Sequence, residues 1–124
     1  MNKVVFNNCF GGFSLSVKAV MWLARNGHGK IKDIAQKYLE SIAMAHFQYG
    51  CNLSGIDRHD PDLVRCVETL GSLASGGELA HLEIAEIKGN RYRIDEYDGA
   101  ETVYEPEDED PSQMSIKYVD MVTV

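Results

Sequence analysis

The stretch from His81 to Tyr104 constrains this chain most. His81-Leu-Glu-Ile-Ala-Glu-Ile87 alternates, breaks at Lys88-Gly89-Asn90, resumes as Arg91-Tyr-Arg-Ile-Asp-Glu-Tyr97, and breaks again at Asp98-Gly99 before Ala100 to Tyr104. Period-two patterning sends successive side chains to opposite faces, and an Asp-Gly pair between two such runs favours a tight hairpin. Arg91, Arg93, Asp95 and Tyr97 therefore share one face, with Tyr92 and Ile94 on the other. Past an acidic loop over 105–113, residues 114–124 are rich in β-branched types. They read as a further edge strand, or as an arm that crosses to a partner subunit and helps form a dimer.

The N-terminal half has the other period. After a strand over Lys3–Asn7, with Val4 and Phe6 on one face and Val5 on the other, Val17, Val20, Met21 and Ala24 recur at helical spacing up to Asn26. Gly27 is expected to end that helix in the left-handed conformation. Ile31, Ile34, Ala35, Tyr38, Leu39, Ile42 and His46 mark a longer amphipathic helix ending near Tyr49-Gly50, with a loop from Cys51 to Asp57. A third helix opens with Asp60 as N-cap, Pro61 in its first turn and Asp62 adding negative charge there. Leu63, Val64, Val67 and Leu70 form its buried face, and Gly71 closes it. The expected fold class is α+β, a single domain over 1–124 with about three helices on a mainly antiparallel sheet of four or five strands.

Charge narrows the partners. The chain has 124 residues and a formal net charge of −7, the wrong sign for gripping a DNA or RNA backbone. Five carboxylates fall between Glu105 and Asp110, so a small anion held by local arginines remains compatible with this balance. No apolar run approaches the roughly 18 residues of a membrane span, and no signal-peptide core is evident at the N-terminus. Three cysteines without a CxxC pair read as reduced thiols, and the four histidines lack metal-ligand spacing. No metal or cofactor is expected.

The candidate site starts in the loop between the first strand and the first helix, Asn7-Asn-Cys-Phe-Gly-Gly-Phe-Ser-Leu-Ser16. Gly11 and Gly12 can turn backbone N–H groups toward a ligand, while Ser14 or Ser16 can cap a helix start that favours anions. Phe10 and Phe13 add flat apolar surfaces. Arg58, with Arg91 or Arg93, can supply guanidinium for phosphate. Arg58→Ala is accordingly expected to weaken binding while leaving the fold intact. The competing reading is a strand-to-helix turn whose glycines only relieve a steric problem. A nucleophilic arrangement of Cys9 with His59 as base and Asp60 or Asp62 as orienter can be assembled, though no spacing supports it.

Together, NNCFGGFSLS, IDRHDPDLVRCVETLG, and HLEIAEI followed by YRIDEYDGAETV resemble the first-described Thoeris anti-defence family, small phage and prophage proteins that act as sponges for cyclic ADP-ribose isomers. The Ile31–Tyr49 helix and the acidic loop with its C-terminal arm lie outside the matching segments. The resemblance implies a decorated antiparallel sheet, a homodimer or higher oligomer, and no catalysis. It implies a ligand, glycocyclic ADP-ribose, that bacterial TIR-domain enzymes make from NAD, sequestered in the cytoplasm of the infected or lysogenic host. Cyclic oligonucleotide signals, taken up by related sponges, are a second ligand class. The residues carried over are Asn8, Cys9, Phe10, Gly11, Gly12 and Phe13 in the first loop, and Arg58, His59 and Asp60 in the second. The chain departs from the pattern at Val17-Lys18, where many relatives open the helix with acidic residues. The alternative function is a small phage nucleotide-processing enzyme using Cys9 and His59.

Overall fold

Strand β1 (Asn2–Asn7) is buried on both of its faces. The computed structural model describes residues 2–42, 55–76, 80–109 and 117–121. In it β1 pairs antiparallel with β2 (Leu82–Ile87), Val4 opposite Ala85 and Asn7 opposite Leu82. A second antiparallel sheet has the order β4 (Ala100–Tyr104), β3 (Arg91–Tyr97), β5 (Val119–Asp120). With helices α1 (Val17–Asn26), α2 (Gly29–Ile42) and α3 (Pro61–Leu70), this is an α+β fold. The five described strands divide between two sheets instead of forming one.

The two faces of β1 explain the layering. Val5 joins Leu15, Val20, Leu23, Ile31 and Leu63 in the main core, while Val4 packs with Ile87 and Tyr92 in a smaller one completed by Ile94, Val103 and Met121. The β1–β2 ribbon thus lies between the helices and the second sheet. Each fully buried aliphatic side chain stabilises such a core by about 1.5–3 kcal/mol relative to exposure.

Local sequence accounts for the helices. Ala19, Val20, Leu23 and Ala24 bury one face of α1, and the Ser16 hydroxyl accepts from Ala19 N at 3.0 Å. In α3, Asp60 accepts from Asp62 N at 2.8 Å and Leu63 N at 3.4 Å, with Pro61 following the cap. Gly27 departs from expectation, because its φ of −76° is not left-handed. A Cβ there would sit 2.5 Å from the Leu23 carbonyl oxygen, so glycine is needed for close approach. Of the long amphipathic helix, Gly29–Ile42 is described, with Ile31 and Ala35 in the core. Its expected continuation to Tyr49-Gly50, including His46, and the start of the following loop lie outside the described residues.

The hairpin appears where the sequence places it. Tyr97 lies opposite Ala100, and Asp98 (φ 52°) and Gly99 (φ 91°) take the positive φ values of a two-residue turn. Within the C-terminal stretch, Val119 and Asp120 pair with Tyr92 and Arg91 of the chain's own β3, forming an edge strand on its own sheet. None of the described helices is long and apolar enough to cross a membrane.

Candidate functional site

Asn7, at the end of β1, joins three segments. Its buried amide donates to the carbonyls of Cys9 (2.8 Å) and Gly99 (2.9 Å), and its side-chain oxygen accepts from His81 N at 2.8 Å. Its backbone N–H donates to Glu101 Oε1 at 2.7 Å. The glycine loop is thereby tied to the tip of the β3–β4 hairpin. Gly11 and Gly12 both have positive φ (126° and 97°), and Gly11 N donates to the Asp98 carbonyl at 3.3 Å. A Cβ on Gly99 would overlap the backbone nitrogens of Gly11 and Gly12. Gly99 therefore serves close packing of two turns, and the Gly11 N–H is already used within the protein.

The start of α1 looks elsewhere. Ser16 Oγ donates to Leu73 O at 2.5 Å, Ser16 N to Ala74 O at 2.8 Å, and Ser14 Oγ to Gly76 O at 2.7 Å. The helix terminus is capped by Ser16 and engaged with the turn at 71–76. Glycine loop and helix start are thus bonded to different segments.

Gly11, Gly12, Phe13, Arg58, Glu96, Gly99 and Glu101 line a recess of about 440 Å³. An adjoining recess of about 410 Å³ shares Gly11, Gly12, Glu96 and Gly99 and adds Phe10 and Asp98. Phe10 is 60% exposed, whereas Phe13 is buried. The Arg58 guanidinium carbon stands 3.6 Å from the centre of the Phe13 ring. Its two terminal nitrogens donate to Glu101 at 2.6 and 2.9 Å. Glu96, opposite Glu101 in the register, accepts from Gly99 N at 2.9 Å. One guanidinium thus faces two carboxylates here, an arrangement suited to hydroxyl and amino groups as well as to anions.

The remaining expected site residues spread out. Asn8 donates to Glu83 at 2.8 Å, away from the recess, and Cys9 is half-buried. His59 Nδ1 lies 2.8 Å from the Tyr92 hydroxyl, with the two rings edge-to-face. Burial, with a smaller contribution from Asp57, pushes that phenol up to about 12. Asp60 caps α3, and Asp62 accepts from His28 and Arg65, so both carboxylates considered as orienters of His59 are engaged elsewhere. Arg93 makes two 2.6 Å bonds to Glu109 and stacks 4.6 Å over the Tyr104 ring. The bond from Arg93, assisted by Tyr118, holds the Glu109 carboxyl below its usual range despite desolvation. Arg91 pairs with Asp120 at 2.6 Å. Among the described residues no group of three or more His, Cys, Asp or Glu is placed to hold a metal ion.

Sequence reasoning placed Asn7 in the candidate loop without giving it a role, and missed Glu96 and Glu101. Glu101 carried a signal, since alternation puts it on the same face of its strand as Val103, where a carboxylate needs a partner. No family model, curated protein or solved structure matches this chain.

Proposed function

We propose that this chain is a phage immune-evasion protein that binds a cyclic ADP-ribose isomer, glycocyclic ADP-ribose made by bacterial TIR-domain enzymes, and holds it intact. Sequestration lowers the free signal and blocks Thoeris defence without catalysis. The observation that carries this reading is the exposed Phe10 beside a recess whose walls combine guanidinium and carboxylates. Such a ligand presents a purine face for stacking, ribose hydroxyls for carboxylates and a pyrophosphate for cations. The resemblance of the loop and hairpin segments points the same way. The protein acts in the cytoplasm of the host bacterium as a homodimer or larger oligomer, in which burial against a second subunit slows release. Cyclic oligonucleotides form a second ligand class for the same surface chemistry.

Incubation with the product of a TIR-domain enzyme, removal of free ligand, and denaturation of the protein test the reading. Chromatography with mass detection is expected to recover the ligand unchanged. A chemically altered product would establish an enzyme instead, and an empty protein would end the proposal.

A further inference from the structure

We propose that the ligand's anionic part is held in a different recess from the glycine loop, the one that Arg58 lines together with Arg93 and Lys117. That recess measures about 310 Å³, and its remaining walls are Ile56, Asp57, Tyr92, Ile94 and Val119. The assignment deepens the function proposed above and rests on it for the ligand's identity, while the site itself rests on charge and geometry.

At the glycine loop, Arg58 is matched against Glu96 and Glu101, and Asp98 lines the adjoining space. A phosphate there would meet like charges at close range, which disfavours it. The Gly11 N–H and the Ser16 cap, the two features that would have offset this repulsion, are spent on Asp98 and on the 71–76 turn. The walls of the second recess carry three cations and Asp57. Arg58 is paired with Glu101, and Arg93 with Glu109 and, at 3.6 Å, with Asp95, so the unmatched positive charge there is that of Lys117. A guanidinium has five N–H donors. Arg58 gives two hydrogen bonds to Glu101 and Arg93 two to Glu109, so each keeps donors for a further anion. Their stacking on Phe13 and Tyr104 fixes both planes in advance. Lys117 is exposed and has no ion pair among the described residues. Ile56, Ile94 and Val119 supply apolar wall that strengthens each charge contact. Because Arg58 lines both recesses, one ligand can place sugar hydroxyls against Glu96 and its pyrophosphate against Arg93 and Lys117.

Calorimetric titration with inorganic pyrophosphate tests the site, using the whole protein, Lys117→Gln and Glu96→Gln. Lys117 lies on the surface and Gln at 96 keeps an acceptor for Gly99 N, so both variants are expected to fold. Pyrophosphate is expected to bind the parent, about tenfold more weakly to Lys117→Gln, and unchanged to Glu96→Gln. Absence of saturable binding, or Lys117→Gln binding like the parent, would overturn the assignment. So would stronger binding to Glu96→Gln, which would place the anion at the glycine loop. A parallel capture of the TIR product separates the two claims. Product held equally by parent and Lys117→Gln removes this subsite but leaves sequestration standing. Pyrophosphate weakened by Lys117→Gln with no product captured keeps the subsite and removes the sequestered signal.

Discussion

Arg58 and Glu101 meet fork to fork, at 2.6 and 2.9 Å, and Glu101 Oε1 also takes the backbone N–H of Asn7. One carboxylate thereby ties the loop before α3 to the free edge of β1, where Val5 N donates to the Arg58 carbonyl at 2.8 Å. Arg58 is consequently a structural residue as well as a wall of both recesses. Arg58→Ala leaves Glu101, whose side chain is 7% exposed, buried without its counter-charge, and is expected to destabilise the fold by about 3–5 kcal/mol. The sequence-based expectation of an intact fold does not take this buried pair into account. Adding Glu101→Gln should recover part of the loss, since glutamine keeps an acceptor for Asn7 N. Denaturant titrations of parent, single and double variants measure this.

A sharper contrast is expected among the glycines. Gly12→Ala meets no atom within 4 Å and suffers only from its φ of 97°, which amounts to about 1 kcal/mol. Gly99→Ala combines a φ of 91° with overlap onto the Gly11 and Gly12 backbone, and should lose more than about 2 kcal/mol. Thermal melts of the two variants check the order. Equal losses would mean that the two turns are not in contact.

Acid should weaken the junction between α1, α2 and α3. Burial alone would raise the Asp62 carboxyl, but hydrogen bonds from Arg65 and His28 outweigh it and hold the group below the usual carboxylate range. A depressed carboxyl contributes stability that is present above its unfolded value and is lost as pH falls through the native one. The parent is therefore expected to lose stability below about pH 4 more steeply than Asp62→Asn. Urea titrations across that range decide it, and parallel curves would exclude Asp62. Glu109, lowered by Arg93, adds a similar loss in both proteins.

The cysteines should separate by accessibility. Burial pushes the Cys66 thiol up to about 12, and its Sγ contacts the Ala19 carbonyl oxygen at 3.6 Å. Cys9 is half-buried, while Cys51 lies outside the described residues. In a Cys51→Ser background, a thiol reagent at neutral pH is expected to label Cys9 first and Cys66 only after denaturant is added. Peptide mass mapping reads the outcome, and labelling of Cys66 in the folded protein would contradict its burial.

Periodic and capping signals in the sequence located the elements well. The His81–Tyr104 alternation became β2, β3 and β4, and Asp60-Pro61 opened α3. What could not be read was which segments meet. The division into two sheets follows from β1 being buried on both faces, and no local pattern distinguishes that from one continuous sheet. Only Gly11, Gly12, Phe13 and Arg58 of the expected residues line the first recess together, with Phe10 at its neighbour. The sequence offers Arg58, Arg91 and Arg93 as guanidinium donors for a phosphate, yet each has a carboxylate partner distant in sequence, and such pairing is a tertiary property.

The two phenylalanines of the loop give the most direct test of how it is used. In the sequence they are equivalent neighbours of the glycine pair; in the fold they are not, since Phe13 is 8% exposed and Phe10 is 60% exposed. Phe13 belongs to the main core and carries the Arg58 guanidinium on its ring, so Phe13→Ala should destabilise by about 3–5 kcal/mol. Phe10→Ala removes a ring that core packing does not need, and stability should change by less than about 0.5 kcal/mol. If that ring stacks on a purine, its removal weakens binding by about 1–3 kcal/mol, the range seen for aromatic–base contacts. Denaturant titration and ligand calorimetry on Phe10→Ala are therefore expected to diverge, with stability preserved and affinity reduced. Unchanged affinity would take Phe10 out of the site, and a large loss of stability would return it to the core.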